Sequence, residues 1–215
     1  MAVARRKSKP KKPRARGGPG ARPVPRAVPT SRQQRALADV TRVLERLDYP
    51  AAIIGGIAVI AWGRARATED VDVAISAPLE DLTEIFQAFL AAGFESRNAD
   101  ALGFARESLV LLLRHKATGI PLDLSLAQLL FERAALQAAV ARPWGKLSIK
   151  VPRVSDLIIY KLIASRPQDL LDVEALLDLG HEVDDARIDA TLREFDALLD
   201  TDRADTWARL RREAS

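Results

Sequence analysis

The chain predicts an α+β fold: a mixed sheet interleaved with helices, followed by a helical C-terminal region. Three observations carry this. Short apolar or β-branched runs at 51–54, 71–75, 109–114, 120–125 and 147–151 alternate with segments whose apolar residues recur at helical spacing. From Ser155 onward no strand-like run remains. Hydrophobic residues make up 48% of the 215, enough for a substantial core.

Each element has its own signal. Ser31 starts a first helix whose stripe is Leu37, Val40, Leu44 and Leu47, and Tyr49-Pro50 ends it. A short strand at 51–54 breaks at Gly55-Gly56, and 57–62 follows as a short buried helix. Residues 71–75 form a β-branched strand. Pro78 opens a helix carrying Leu82, Ile85, Phe86, Phe89 and Leu90, which Gly93 stops. Strands are expected at 103–106, 109–114 and 120–125, a helix at about 127–140, and a strand at 147–151. Ser155 is the expected N-cap of a helix at 157–164, and Pro167 starts another at 167–178, closed by Gly180. Helices at about 184–200 and 203–213 complete the chain. No internal repeat is visible. This divides the chain into a basic tail (1–33), an α+β core (34–152) and a helical C-terminal region (153–215).

Composition excludes several function classes. There is no cysteine, so there is neither a disulfide framework nor a thiolate metal site, and a reducing, cytoplasmic setting is expected. The longest apolar run, 51–63, is thirteen residues, against the roughly 20 a membrane span needs. The basic N-terminus precedes no apolar segment, which excludes a secretory signal, and its Pro and Gly residues argue against an amphipathic transit helix.

Charge is unevenly spread. Residues 1–33 hold eleven Lys or Arg and no acid, and six of the twelve prolines. The other 182 residues hold 22 basic and 29 acidic groups, a net of −7. A tail of this composition is expected to be disordered, since it has too little apolar surface to fold. It suits phosphate backbones. It equally suits a solubilising extension, and both readings stay open.

Two choices in the sequence do not serve a core. Gly55-Gly56 ends an apolar strand and opens a helix, which lets an anion approach backbone N–H groups closely. Close helix-on-strand packing favours the same residues. Asp70 and Asp72, two apart at a strand, share a face by alternation, while Val71, Val73 and Ile75 line the buried face. Paired carboxylates repel unless a cation joins them, and Mg²⁺ suits carboxylates plus substrate phosphates. Asp123 is the only acid in the span 116–128 and lies between leucines. A lone strand charge is costly unless coordinated or paired. Should this strand neighbour 71–75, three carboxylates converge, the chemistry of two-metal phosphoryl transfer with ions roughly 3.5–4 Å apart. Lys161 is the only charge between Asp156 and Arg166. It is either aimed at a phosphate or carboxylate, or a packing lysine that snorkels or pairs with Asp169. His115 and His181 are isolated, no serine has a His partner for a triad, and Trp62, Trp144 and Trp207 read as packing residues.

The glycine pair, the intervening helix, Asp70-Val71-Asp72 and the later strand Asp123 together resemble the nucleotidyltransferases of the DNA polymerase β superfamily. With Arg66 and Thr68 before the paired acids, the pattern is similar to the AbiEii-type abortive-infection toxins. Lys161, Arg166 and Asp169 resemble that family's downstream motif of a lysine, a second basic residue and an aspartate, with Arg166 where lysine is common. The family often has Gly-Ser where this chain has Gly55-Gly56, which leaves backbone donors only. The likeness spans roughly residues 37–178.

The resemblance implies a polymerase β-like nucleotidyltransferase core. It assigns Gly55 and Gly56 to the triphosphate, Asp70, Asp72 and Asp123 to two Mg²⁺ ions, and Arg66, Thr68 and Lys161 to phosphate oxygens. The implied activity is transfer of a nucleoside monophosphate from a nucleoside triphosphate to a hydroxyl, with tRNA as acceptor. It further implies the toxin of a toxin–antitoxin or phage-defence pair, with a cognate antitoxin protein. The alternatives are a small-molecule acceptor, as in antibiotic-modifying relatives, and a non-catalytic nucleotide- or RNA-binding protein.

Overall fold

The computed structural model describes residues 30–214. The expected basic tail, apart from its last four positions, lies outside the described residues.

Thr30 caps α1 (Ser31–Leu47): its hydroxyl accepts from the Gln33 amide at 3.1 Å, while its own amide donates to Gln33 Oε1 at 3.2 Å. The stripe buries Leu37 and Val40, and Asp48 closes the helix in the left-handed region at φ 57°. Then come β1 (Ala51–Ile53), α2 (Gly55–Ala61) and β2 (Val71–Ile75). A 3₁₀ turn (Leu79–Asp81) leads into α3 (Leu82–Ala91), then β3 (Phe94–Ser96), α4 (Ala101–Ser108), β4 (Val110–His115) and β5 (Pro121–Leu126). α5 (Leu130–Gln137) precedes the hairpin β6 (Val140–Trp144) and β7 (Leu147–Val151). Four helices end the chain: α6 (Val154–Ala164), α7 (Pro167–Asp178), α8 (Asp185–Leu199) and α9 (Arg203–Glu213).

The main sheet has five strands in the order β1-β2-β5-β4-β3, and only the β2–β5 pair is parallel. The expected mixed sheet and C-terminal helices are therefore present. Alternation sends Val71, Val73, Leu111, Leu113, Leu122 and Leu124 into one core with α1 and α3. On the other face, Ala52 and Ala74 pack with Ala127 and Leu136 of α5. The C-terminal helices join the first core through Leu157, Ile158, Val173, Leu192 and Trp207. Among the described residues no helix is long and apolar enough to cross a membrane.

Several sequence expectations need correction. The strand expected at 103–106 is the middle of α4, which Asp100 caps by accepting from the Gly103 amide at 2.8 Å. Ala101 and Ala105, four apart, bury its face, a helical period that so short a run hides. β3 and β6 were not expected. The helix expected at 127–140 spans only Leu130–Gln137, because Val140–Trp144 pairs with Leu147–Val151 around Gly145 at φ 59°. Ser155 does not cap α6. Arg153 occupies that position, and the Ser155 hydroxyl instead accepts from the Asp184 amide at 2.8 Å.

Antiparallel register turns the end of β1 back against the start of β2. Ile53 pairs with Val73, and the Ile54 amide donates to the Asp72 carbonyl at 2.8 Å. Gly55 follows with φ 62°, and a Cβ there would stand 2.6 Å from Asp72 Cγ. Both facts demand glycine. Gly55→Ala is expected to lose about 1–2 kcal/mol from the backbone conformation alone, with the collision adding to it. Urea denaturation of the purified variant measures the loss.

Candidate active site

The site is built from the starts of two parallel strands. Asp72 and Asp123 are direct register partners on β2 and β5, strands about 4.8 Å apart. Asp70 is exposed and lies one residue before β2, whose bounds are those expected. Burial pushes the Asp72 carboxyl above the usual carboxylate range. The charge of Asp123, and less strongly that of Asp70, push the same way, while Lys161 and Arg166 pull against them. Asp72 therefore feels the other four groups through space.

The glycine turn abuts this acid pair. Gly55 touches Asp72 as described. A Cβ on Gly56 would stand 2.7 Å from Thr68 Oγ1 and 3.0 Å from Arg66 Nη2. The structure thus brings Gly55, Gly56, Arg66, Thr68, Asp70, Asp72 and Asp123 into one neighbourhood. Gln33 of α1 steadies it by donating to the Thr68 carbonyl at 2.6 Å. Beside it lies a cleft of about 450 Å³, lined by Arg32, Gln33, Arg66, Thr68, Glu69 and Trp144.

Lys161 sits in a buried ion network. Its ammonium bridges Asp169 at 2.8 Å and Asp172 at 2.9 Å, so the pairing reading of this lysine is realised, yet its field reaches Asp72. Asp172 is fully buried and also holds Arg66 at 2.6 Å and Arg64 at 3.6 Å. Burial alone would raise the Asp169 carboxyl. Hydrogen bonds from Arg166 and Lys161 instead hold it below the usual range. Helix α7 thereby fixes the segment that leads into β2.

Sequence reasoning missed two members. Asp172 lies three residues after Asp169 on α7 and shares its face, so the helical period could have found it. Arg97 follows β3 and donates to Asp123. No sequence signal marks it, since only the sheet order carries β3 near β5.

The donor set fits a hard divalent cation. Register-paired carboxylates with a burial-strained member are stabilised by positive charge, and all are oxygen ligands. As placed, Asp123 is turned onto Arg97, and among the described residues no three His, Cys, Asp or Glu side chains converge on one point. Asp70, Asp72 and Asp123 are the residues that would hold the ion.

Residues 35–213 match the family described as "Nucleotidyl transferase AbiEii toxin, Type IV TA system". No curated protein sequence matches the chain. The chain is similar to the solution structure of the antibiotic-resistance factor ANT(2'')-Ia, at 14% identity over 78% of this chain and 95% of that one, with a TM-score of 0.54. It is also similar to the lincomycin-bound lincosamide antibiotic adenylyltransferase LnuA, at 15% identity over 66% of this chain and 95% of that one, with a TM-score of 0.46. An antigenic nucleotidyltransferase-like protein from Paracoccidioides brasiliensis matches at 18% identity over 71% and 79% of the two chains, with a TM-score of 0.48. The first of these likenesses shows a shared fold.

The raised Asp72 carboxyl has a pH consequence. A carboxyl raised in the fold binds more protons folded than unfolded, so stability falls as pH rises from the usual carboxylate value through the raised one. Asp72→Asn removes that loss. In metal-free protein it should melt above wild type at neutral pH, and the gap should close as pH falls through the carboxylate range. Thermal melts in chelator across pH check this.

Proposed function

The chain belongs to the AbiEii nucleotidyltransferase toxin family, and from that premise we propose a Mg²⁺-dependent enzyme that transfers a nucleoside monophosphate from a nucleoside triphosphate to a hydroxyl acceptor. The observation that carries the reading is the register pair Asp72–Asp123, set against a glycine turn whose neighbours are Arg66 and Thr68. Residues 34–152 act as the catalytic core, 153–215 as the helical region that closes on it, and the reaction takes place in the cytoplasm.

The chemistry follows from the placement. Gly55 and Gly56, with no Cβ, let triphosphate oxygens approach, and Arg66 and Thr68 donate to them. Lys161 supplies positive charge that acts on Asp72 through space, held in place by Asp169 and Asp172. Asp70, Asp72 and Asp123 hold divalent ions, which when bound neutralise the charge that develops on the phosphoryl oxygens. Asp123 takes the proton from the acceptor hydroxyl. The acceptor oxygen bonds to the α-phosphorus, the α–β bond breaks, and pyrophosphate leaves with the bonding electrons. Positioning and charge stabilisation supply most of the rate.

The family description supports a toxin role with a cognate antitoxin protein, and RNA, tRNA in particular, is the proposed acceptor. The fold shared with an antibiotic-resistance factor favours a second reading, in which the acceptor is a small antibiotic such as an aminoglycoside. A non-catalytic binding module is disfavoured, because Asp72 bears burial and like-charge repulsion that binding alone does not require.

The test incubates the full chain with each labelled nucleoside triphosphate, Mg²⁺ and either total RNA or an aminoglycoside. One triphosphate should label RNA, and Asp72→Asn should abolish labelling while keeping its circular dichroism. Label on the aminoglycoside alone supports the second reading. Unchanged turnover in Asp72→Asn overturns the site.

The basic segment gives a further expectation. α1 begins at Ser31 and Gln33 braces Thr68, so a clean truncation ends at residue 29. Residues 1–29 carry ten Lys or Arg and no acid. Their removal should weaken RNA binding and flatten its salt dependence, since fewer counterions are released. Transfer to a minimal acceptor should survive. Anisotropy titrations over a salt series measure both.

A further inference from the structure

One cation at the rim of the site has no role in the account above. Alternation places Asp72 of β2, Asp123 and Ser125 of β5, and Val110, Leu112 and Arg114 of β4 on the same face of the sheet, and Glu95 and Arg97 continue it at β3. The β1–β2 end of that face is sealed by Leu136 of α5. Toward β3 it stays partly open: Leu112 and Ser125 are half-buried, and Arg114 and Glu95 are exposed.

Arg97 is held firmly in this open part. Its amide donates to the Leu112 carbonyl at 2.9 Å. Next to it, the Ser96 hydroxyl donates to the Asn98 carbonyl at 2.7 Å and accepts from the Asn98 amide at 3.0 Å. The guanidinium donates to Asp123 Oδ1, with the Arg97 side chain 24% exposed. Glu95 and Arg114 face each other across β3 and β4. Arg97 and Asp123 are thus a couple on the side of the site away from the glycine turn.

This inference rests on the nucleotidyl-transfer reading. In that reading Asp123 turns to the attacking hydroxyl, which leaves the Arg97 charge uncompensated on the acceptor's side. When the acceptor is the end of a polynucleotide, the nearest anion is the phosphate joining the terminal nucleotide to its neighbour. We infer that Arg97 takes this phosphate and so selects a polynucleotide end over a polycationic small molecule. A guanidinium matches phosphate with two parallel hydrogen bonds. A polyammonium acceptor would meet a like charge at the same point. Arg97 exchanges no atoms in the reaction. It sets which acceptor binds and where.

The test uses the full chain with Arg97→Ala and Arg97→Lys, an oligoribonucleotide acceptor, and the same oligonucleotide with a neutral methylphosphonate at its last linkage. Binding is followed by anisotropy over a salt series, and transfer by KM and kcat. Arg97→Ala should raise Kd and KM about tenfold, with kcat changed less. The slope of log K against log salt should fall by about 0.7, one single-strand phosphate contact. Arg97→Lys should restore part of the affinity. The methylphosphonate should weaken wild type by a similar factor and leave Arg97→Ala unaffected, because each change removes the same contact. Loss of kcat alone in Arg97→Ala, with Kd, KM and salt slope unchanged, would overturn the inference and leave Arg97 as a residue that positions Asp123. Indifference of wild type to the methylphosphonate would overturn it equally. Failure of the parent reading looks different: wild type would then label no RNA at all, and the inference would fall with it.

Discussion

The parallel register of β2 and β5 is the constraint around which the site is arranged. With Val71 opposite Leu122 and Val73 opposite Leu124, both strands bury their branched faces together, and Asp72 has no freedom but to face Asp123. A shift of β2 by one residue would send Val71, Val73 and Ile75 to the wrong face, so core burial enforces the juxtaposition of two like charges. What surrounds the pair relieves it: Arg97 on one side, Lys161 and Arg166 acting through space on the other, and a glycine where any side chain would collide with Asp72.

The relief from Lys161 and Arg166 is itself anchored elsewhere. Lys161, Asp169, Asp172 and Arg66 form a nearly dry network between α6, α7 and the segment entering β2. Such networks add little net stability compared with apolar packing, but losing one partner leaves an uncompensated buried charge, typically at a cost of about 3–5 kcal/mol. The arrangement therefore favours geometry over stability. Through Arg66 it makes the position of the glycine-turn cations depend on the helical region, so the two halves of the chain share one electrostatic unit.

Those ties also place the acidic and basic parts of the molecule. The folded body is net acidic, with Asp72 and Asp123 paired at the candidate site, while arginines stand around that site: Arg66 beside the glycine turn, Arg32 along the neighbouring cleft and Arg97 at the sheet rim. On the proposed reading a polyanionic substrate would approach along these arginines, and ten further Lys or Arg lie before residue 30.

Long periodic elements were legible from the sequence because their signals are local. The stripe of α1, the Pro167 start of α7 and the alternation of β2 all appeared where expected. α4 stood as an expected strand and β6 was not expected, because runs of this length do not fix a period, and β6 was decided by its pairing with β7. The acids and glycines stood out because each is unfavourable where it stands unless something uses it. Their meeting was not contained in the sequence. It required the β2–β5 register, set by burial across fifty intervening residues. Arg97 became visible only then, since its ion pair depends on distance in space, which spacing along the chain does not encode; Asp172 was within reach of the helical period of α7.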